Sequence, residues 1–175
     1  MRLLLAFVLF LAGLALTPLL LMLYINYGRP PVSVVDSPFP FEKTIVRAAL
    51  HHRIDREAQD SPISLTTENQ LAGALLYREH CAFCHGLPGE ASGAGTNMYP
   101  KAPQLWTSHR KGIVGVSDDP VGETFWKLQN GIRLTGMPSY RNLLNDQQMW
   151  QVSLLLSKAN EPLTEDVRNV LRNKQ

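Results

Sequence analysis

Residues 81–85 read Cys81-Ala82-Phe83-Cys84-His85. Two cysteines three positions apart, followed at once by a histidine, have the spacing of a covalent haem-attachment site. Each thiol can add across one vinyl group of the porphyrin, and the adjoining imidazole then lies under the iron and ligates it. The chain holds 2 cysteines in all, both in this stretch. A redox dithiol of the same spacing belongs in a βαβ unit, and a zinc site needs further ligands that His51, His52, His80 and His109 do not supply at suitable spacing. A disulfide closing so short a loop would add little stability. The expected cofactor is one covalently bound haem c.

Working outward, Thr67 and Gln70 form a capping box that starts a helix running from Glu68 to about His80. Gly73 sits in its middle, where it costs about 1 kcal/mol relative to alanine, a residue kept when another backbone must come close. After His85 the glycines of Gly86–Gly89 and Gly93–Gly95 exclude regular structure. The loop continues through Pro103-Gln104-Leu105-Trp106, long enough to wrap a cofactor. Asp118-Asp119-Pro120 opens a further helix, with Phe125, Trp126 and Gln129, that ends at Gly131. It delivers the segment 131–140, which contains Gly136-Met137-Pro138. Asn145 and Gln148 cap a helix from Asp146 to about Lys158, with Met149, Val152, Leu155 and Leu156 inward. A last polar helix from Thr164 to about Arg172 is expected to be peripheral. No alternating run of strand length stands out, so the fold class is all-α.

Upstream, Leu3 to Ile25 carries no charge and, as a helix, spans about 35 Å, enough to cross a bilayer. Tyr24 and Tyr27 close it at the membrane–water boundary. A retained anchor is expected over a cleaved signal, because cutting after Ala15 would leave Leu16 to Ile25 apolar. An extended Pro/Gly tether follows from Asn26 to Pro40. Between Phe41 and Gln59 a helix is expected to turn Ile45, Ala48, Ala49, His52 and Arg56 to one side, with His51 and His52 as ordinary polar positions. The expected organisation is a transmembrane anchor (1–27), a linker with this helix (28–66), a haem domain (67–158) and the C-terminal helix (159–175). A net charge of +2 without a basic cluster gives no sign of nucleic acid.

From about Thr67 to Ser157 the chain resembles class I cytochrome c. The resemblance implies a cytochrome c-like helical haem domain whose first and last helices cross at Gly73 and Tyr77. It implies Trp150 and Val152 as contacts of the last helix, and places Leu155 where an aromatic is common. It also implies that Pro103 accepts the ring N–H of His85, the proximal ligand, and that Met137 is the distal ligand. Met98 is the other candidate thioether, but it lies in the loop that carries Pro103. Glycine lets backbone lie close to a flat ring and proline stiffens it, which favours Met137. Arg133, Trp126 and Tyr140 are candidates for contacts with a propionate or the ring.

With both axial positions filled, the iron has no open site for substrate. The expectation is therefore an electron-transfer protein and not an enzyme; the resemblance, with the apolar run, implies one anchored in a bacterial inner membrane with its haem domain in the periplasm. Its partners would be the lipid bilayer and redox proteins of a respiratory chain. A subunit of a larger oxidoreductase, or a ligand sensor with a labile methionine, remains open.

Overall fold

The computed structural model describes residues 1–109 and 112–172. Among these there is no strand, only two isolated β-bridges, Leu87 with Glu90 and Ser108 with Val114. Contacts divide the chain into two units, Met1–Glu42 and Lys43–Gln175.

In the first unit, α1 (Arg2–Tyr27) is long and apolar enough to cross a membrane, and none of it is buried. The segment after it is not the extended tether expected. The Asp36 carboxylate accepts the backbone N–H groups of Val32 (2.9 Å) and Ser33 (2.8 Å), closing a turn. The Phe39 ring then meets Tyr24 edge-on at 6.4 Å. A carboxylate within reach of free amides, and an aromatic within reach of another, overcame the Pro/Gly composition.

α2 (Glu42–Glu57) belongs to the second unit from Lys43 onward. The linker was expected to run to residue 66, but the end of α2 packs on α6 (Val121–Asn130). Ile54 is only 2% exposed, whereas Ile45 is open to solvent. The Trp126 indole N–H donates to the Glu57 carboxylate at 2.8 Å, and the Arg53 guanidinium lies 5.8 Å from the Trp126 ring centre. Gly122 makes the approach of backbones possible, since a Cβ there would stand 2.0 Å from the Gln59 carbonyl oxygen. His51 and His52 are exposed.

The bonds from Trp126 and Arg53 hold the Glu57 carboxyl below its ordinary range. Its contribution to docking α2 is therefore present above the unfolded carboxylate pKa and lost as pH falls through the lower, folded one. The protection factors of the amides at residues 54–59, after division by the intrinsic exchange rate, should fall on acidification below about pH 4, before those of the rest of the unit. Exchange that follows global unfolding at every pH would contradict this.

The core is built on the crossing of α3 (Thr67–His80) and α7 (Asp146–Ser157). A Cβ on Gly73 would lie 2.3 Å from the Gln151 carbonyl oxygen. Tyr77, Met149, Val152 and Leu155 are fully buried around the crossing, and Leu156 nearly so. Leu155, where the resemblance implied an aromatic as the common residue, lies against Gly73. Phe125 of α6 stacks on Trp150 of α7 at 3.9 Å. The Asn145–Gln148 capping box is present at the start of α7. The cap of α3 is displaced by one residue: Thr66, not Thr67, accepts from the Asn69 amide. Likewise Pro120 is the residue before α6, not its first helical position.

The C-terminal helix is not peripheral. In α8 (Glu165–Arg172), Val167 and Leu171 are fully buried against α3, and Arg78 donates to the Val170 carbonyl at 2.9 Å. The composition of α8 is polar, yet one four-residue step places two aliphatics on a single face.

Candidate haem site

α3 ends at His80, and one further turn, α4 (Ala82–His85), carries the motif. Cys81 accepts at its carbonyl from the amides of Cys84 (3.1 Å) and His85 (2.9 Å), so both sulfur-bearing residues and the imidazole share one turn. Both cysteines are free thiols. Cys81 is buried and Cys84 half-buried. Burial, with Cys84 adding to it, pushes the Cys81 thiol up to about 12. Gly86 then turns the chain at φ 74°, and a Cβ there would collide with the Glu90 carbonyl and the Gln104 amide.

His85 is held at two points. Its Nδ1–H donates to the Pro103 carbonyl at 2.8 Å, and its own carbonyl accepts from the Leu105 amide at 3.1 Å. A carbonyl can only accept, so Nδ1 carries the proton and Nε2 is left with its lone pair for a metal. Burial pulls the imidazole below its usual range, with the Pro103 carbonyl acting against it, and the neutral form is the one that ligates.

The wrapping loop differs in one respect from a structureless one. It contains a single helical turn, α5 (Gly93–Thr96), capped by Ser92, whose hydroxyl accepts the Gly95 amide at 2.9 Å. Glycine content suggested no helix here, but Gly95 is required for proximity: a Cβ would overlap the Cys84 carbonyl oxygen.

The segment 131–140 is folded back on the end of α6. Gly131, at φ 67°, gives up a Cβ that would stand 2.7 Å from the Ser139 nitrogen. The Met137 carbonyl accepts from Ile132 (3.2 Å), its amide donates to the Thr135 hydroxyl (3.1 Å), and the Tyr140 amide donates to Leu128 (2.8 Å). Met137 is half-buried against the core. Sequence reasoning did not foresee that Met98 reaches this segment: its Sδ lies 3.3 Å from where a Cβ on Gly136 would be.

Of the supporting residues, Pro103 is where the sequence predicted it. Tyr140 donates to the His80 carbonyl at 2.9 Å. Burial, and after it the two cysteines, push its hydroxyl up to about 12, which places it beside the attachment turn. Arg133 is exposed, with no ion pair among the described residues. The Trp126 N–H is committed to Glu57 and is not free for a propionate, which leaves only its ring for a haem contact. Trp106, half-buried and edge-on to Tyr77 at 5.6 Å, instead carries a buried Nε1 that meets no acceptor in good hydrogen-bond geometry among the described residues.

Two free thiols, an imidazole with a fixed tautomer and a buried donor lacking an acceptor fit a haem with its vinyl, iron and carboxylate groups. A comparison with protein-family models matches residues 70–159 to Cytochrome c. The chain belongs to the cytochrome c family. Among curated proteins the comparison finds no match. As a class I cytochrome c, the chain takes covalently attached haem c as its cofactor, and Cys81 and Cys84 fit the attachment motif. When bound, that group supplies an iron that gains and loses single electrons.

The Tyr77 hydroxyl donates to the Gly86 carbonyl at 2.8 Å in the core, tying α3 to the turn after the motif. Its burial keeps it protonated. Tyr77→Phe leaves that carbonyl unpaired and should destabilise this cytochrome c by about 1–3 kcal/mol, read as a lower denaturant midpoint at unchanged slope.

Proposed function

We propose that this cytochrome c is a membrane-anchored monohaem electron carrier of a periplasmic respiratory chain, with His85 and Met137 as the two axial ligands. The observation that carries this reading is the bond from His85 Nδ1 to Pro103, which leaves Nε2 as the ligating nitrogen beside both cysteines. The hydrogen bonds that fold residues 131–140 back on α6 support Met137 as its counterpart. With two protein ligands the iron binds no substrate and reorganises little on reduction, which suits electron transfer over catalysis.

The membrane part of the reading is supported by α1, an exposed apolar helix with Tyr24 and Tyr27 at its end. Phe83 on the attachment turn is 77% exposed and Leu134 beside the distal segment 80% exposed. Apolar side chains displayed there favour contact with a protein partner, either transient or as a subunit of a larger oxidoreductase.

The full chain, expressed with a haem-attachment pathway and fractionated, tests the proposal. The expected result is a haem signal that survives denaturing electrophoresis, stays in the membrane fraction and keeps α1 on mass analysis. Native pull-down then separates the two arrangements: a stoichiometric companion marks a subunit, its absence a free carrier. Haem released to the soluble fraction with α1 removed would overturn the anchor.

A further inference from the structure

Pro103 lacks a backbone N–H and is exposed, so its neighbours must place the carbonyl that His85 uses. The side chain between Pro103 and Leu105 supplies three bonds. Gln104 Nε2 donates to the Cys84 carbonyl at 3.2 Å and to the Ala102 carbonyl at 3.1 Å, while Oε1 accepts the Ser92 amide at 2.6 Å. Both amide donors are used. Glycines open the space: a Cβ on Gly86 would stand 2.7 Å from Gln104 Oε1, and one on Gly95 3.1 Å from Nε2.

We propose that Gln104 is the positioning residue of the His85–Pro103 pair. Its amide locks the attachment turn, at Cys84, to the two ends of the wrapping loop, at Ser92 and Ala102. It thereby sets the distance over which Pro103 polarises the imidazole. This deepens the reading of His85 as an axial ligand and rests on it. A carbonyl held close makes the imidazole a stronger donor and favours ferric iron. A looser one favours ferrous iron.

The test uses the haem-loaded full chain in two variants. Gln104→Met keeps the shape and loses all three bonds; Gln104→Glu keeps the acceptor and loses both donors. Arg78→Met is the control, since it removes a bond of the same domain, to the Val170 carbonyl, without touching the attachment turn, the wrapping loop or the Gln104 amide. The readouts are solvent exchange of the His85 ring N–H by NMR and the reduction potential. Exchange should be roughly fivefold faster in both Gln104 variants. The potential should rise in Gln104→Met, the neutral one. Arg78→Met should melt lower with both readouts unmoved.

A Gln104→Met protein that melts lower with exchange and potential unchanged overturns the proposal. So does failure of both Gln104 variants to take up haem where Arg78→Met succeeds. The underlying reading has its own check: a wild-type His85 ring N–H without a paramagnetic shift in the ferric state shows that His85 is not the ligand.

Discussion

Met137→Ala should open the iron. The ferrous variant is expected to bind carbon monoxide rapidly where the native protein binds it slowly or not at all, and the ferric variant to lose the sulfur-to-iron absorbance of a thioether ligand. Because a neutral thioether favours ferrous iron, its loss should lower the potential on the order of 0.1 V, within the ~0.8 V that axial ligands span. The competing sulfur is close by. Met98 touches Gly136, the residue before Met137, so the two methionines border the same segment. Met98 reaches it from the loop that also carries the proximal acceptor, whereas Met137 has its backbone fixed on both sides, through Ile132 and Thr135. Met98→Ala should therefore keep the absorbance and the slow binding. A reversed pair of results would make Met98 the ligand.

The second large effect is expected at Gly73. Alanine gains about 1 kcal/mol over glycine in a helix interior, so propensity alone forecasts a more stable protein. Geometry forecasts the opposite. The added carbon would stand 2.3 Å from the Gln151 carbonyl oxygen and 2.7 Å from its carbon. Both are backbone atoms of a neighbouring helix and cannot rotate aside. α3 and α7 must part, loosening the contacts of Leu155, Val152 and Tyr77. Overpacking of this kind costs about 1–3 kcal/mol or more, and here it outweighs the propensity gain. Gly73→Ala should lower the melting temperature by roughly 5–10 °C, and Gly73→Val by more. An unchanged or raised melting temperature would mean that the helices cross elsewhere.

The features that sequence revealed are those whose partners are near in the chain or whose chemistry is unusual. The attachment turn, a close backbone approach at Gly73 and the Asn145–Gln148 cap each follow from a local rule, whereas the crossing of the first and last helices there came through the resemblance. The Pro103 acceptor came through resemblance alone. The misread features depend on distant partners. The acceptor of the Trp126 N–H, Glu57, lies 69 residues away in the chain. The polar α8 looked peripheral until Arg78 was found 92 residues from the carbonyl it binds. Spacing tells which residues share a face, not what that face will meet. Gln104 was passed over because a glutamine in a loop carries no local signature. Its role exists only once Cys84, Ser92 and Ala102 surround it.

The position of Cys81 constrains how such a molecule can be made. Its sulfur lies among Ala74, Tyr77 and the other side chains of the closed core, protonated and shielded from reagents. A thiol in that state is a poor nucleophile. Thioether formation at Cys81 is therefore expected to run faster on an open chain than on the closed domain, with the helices closing around the product afterwards.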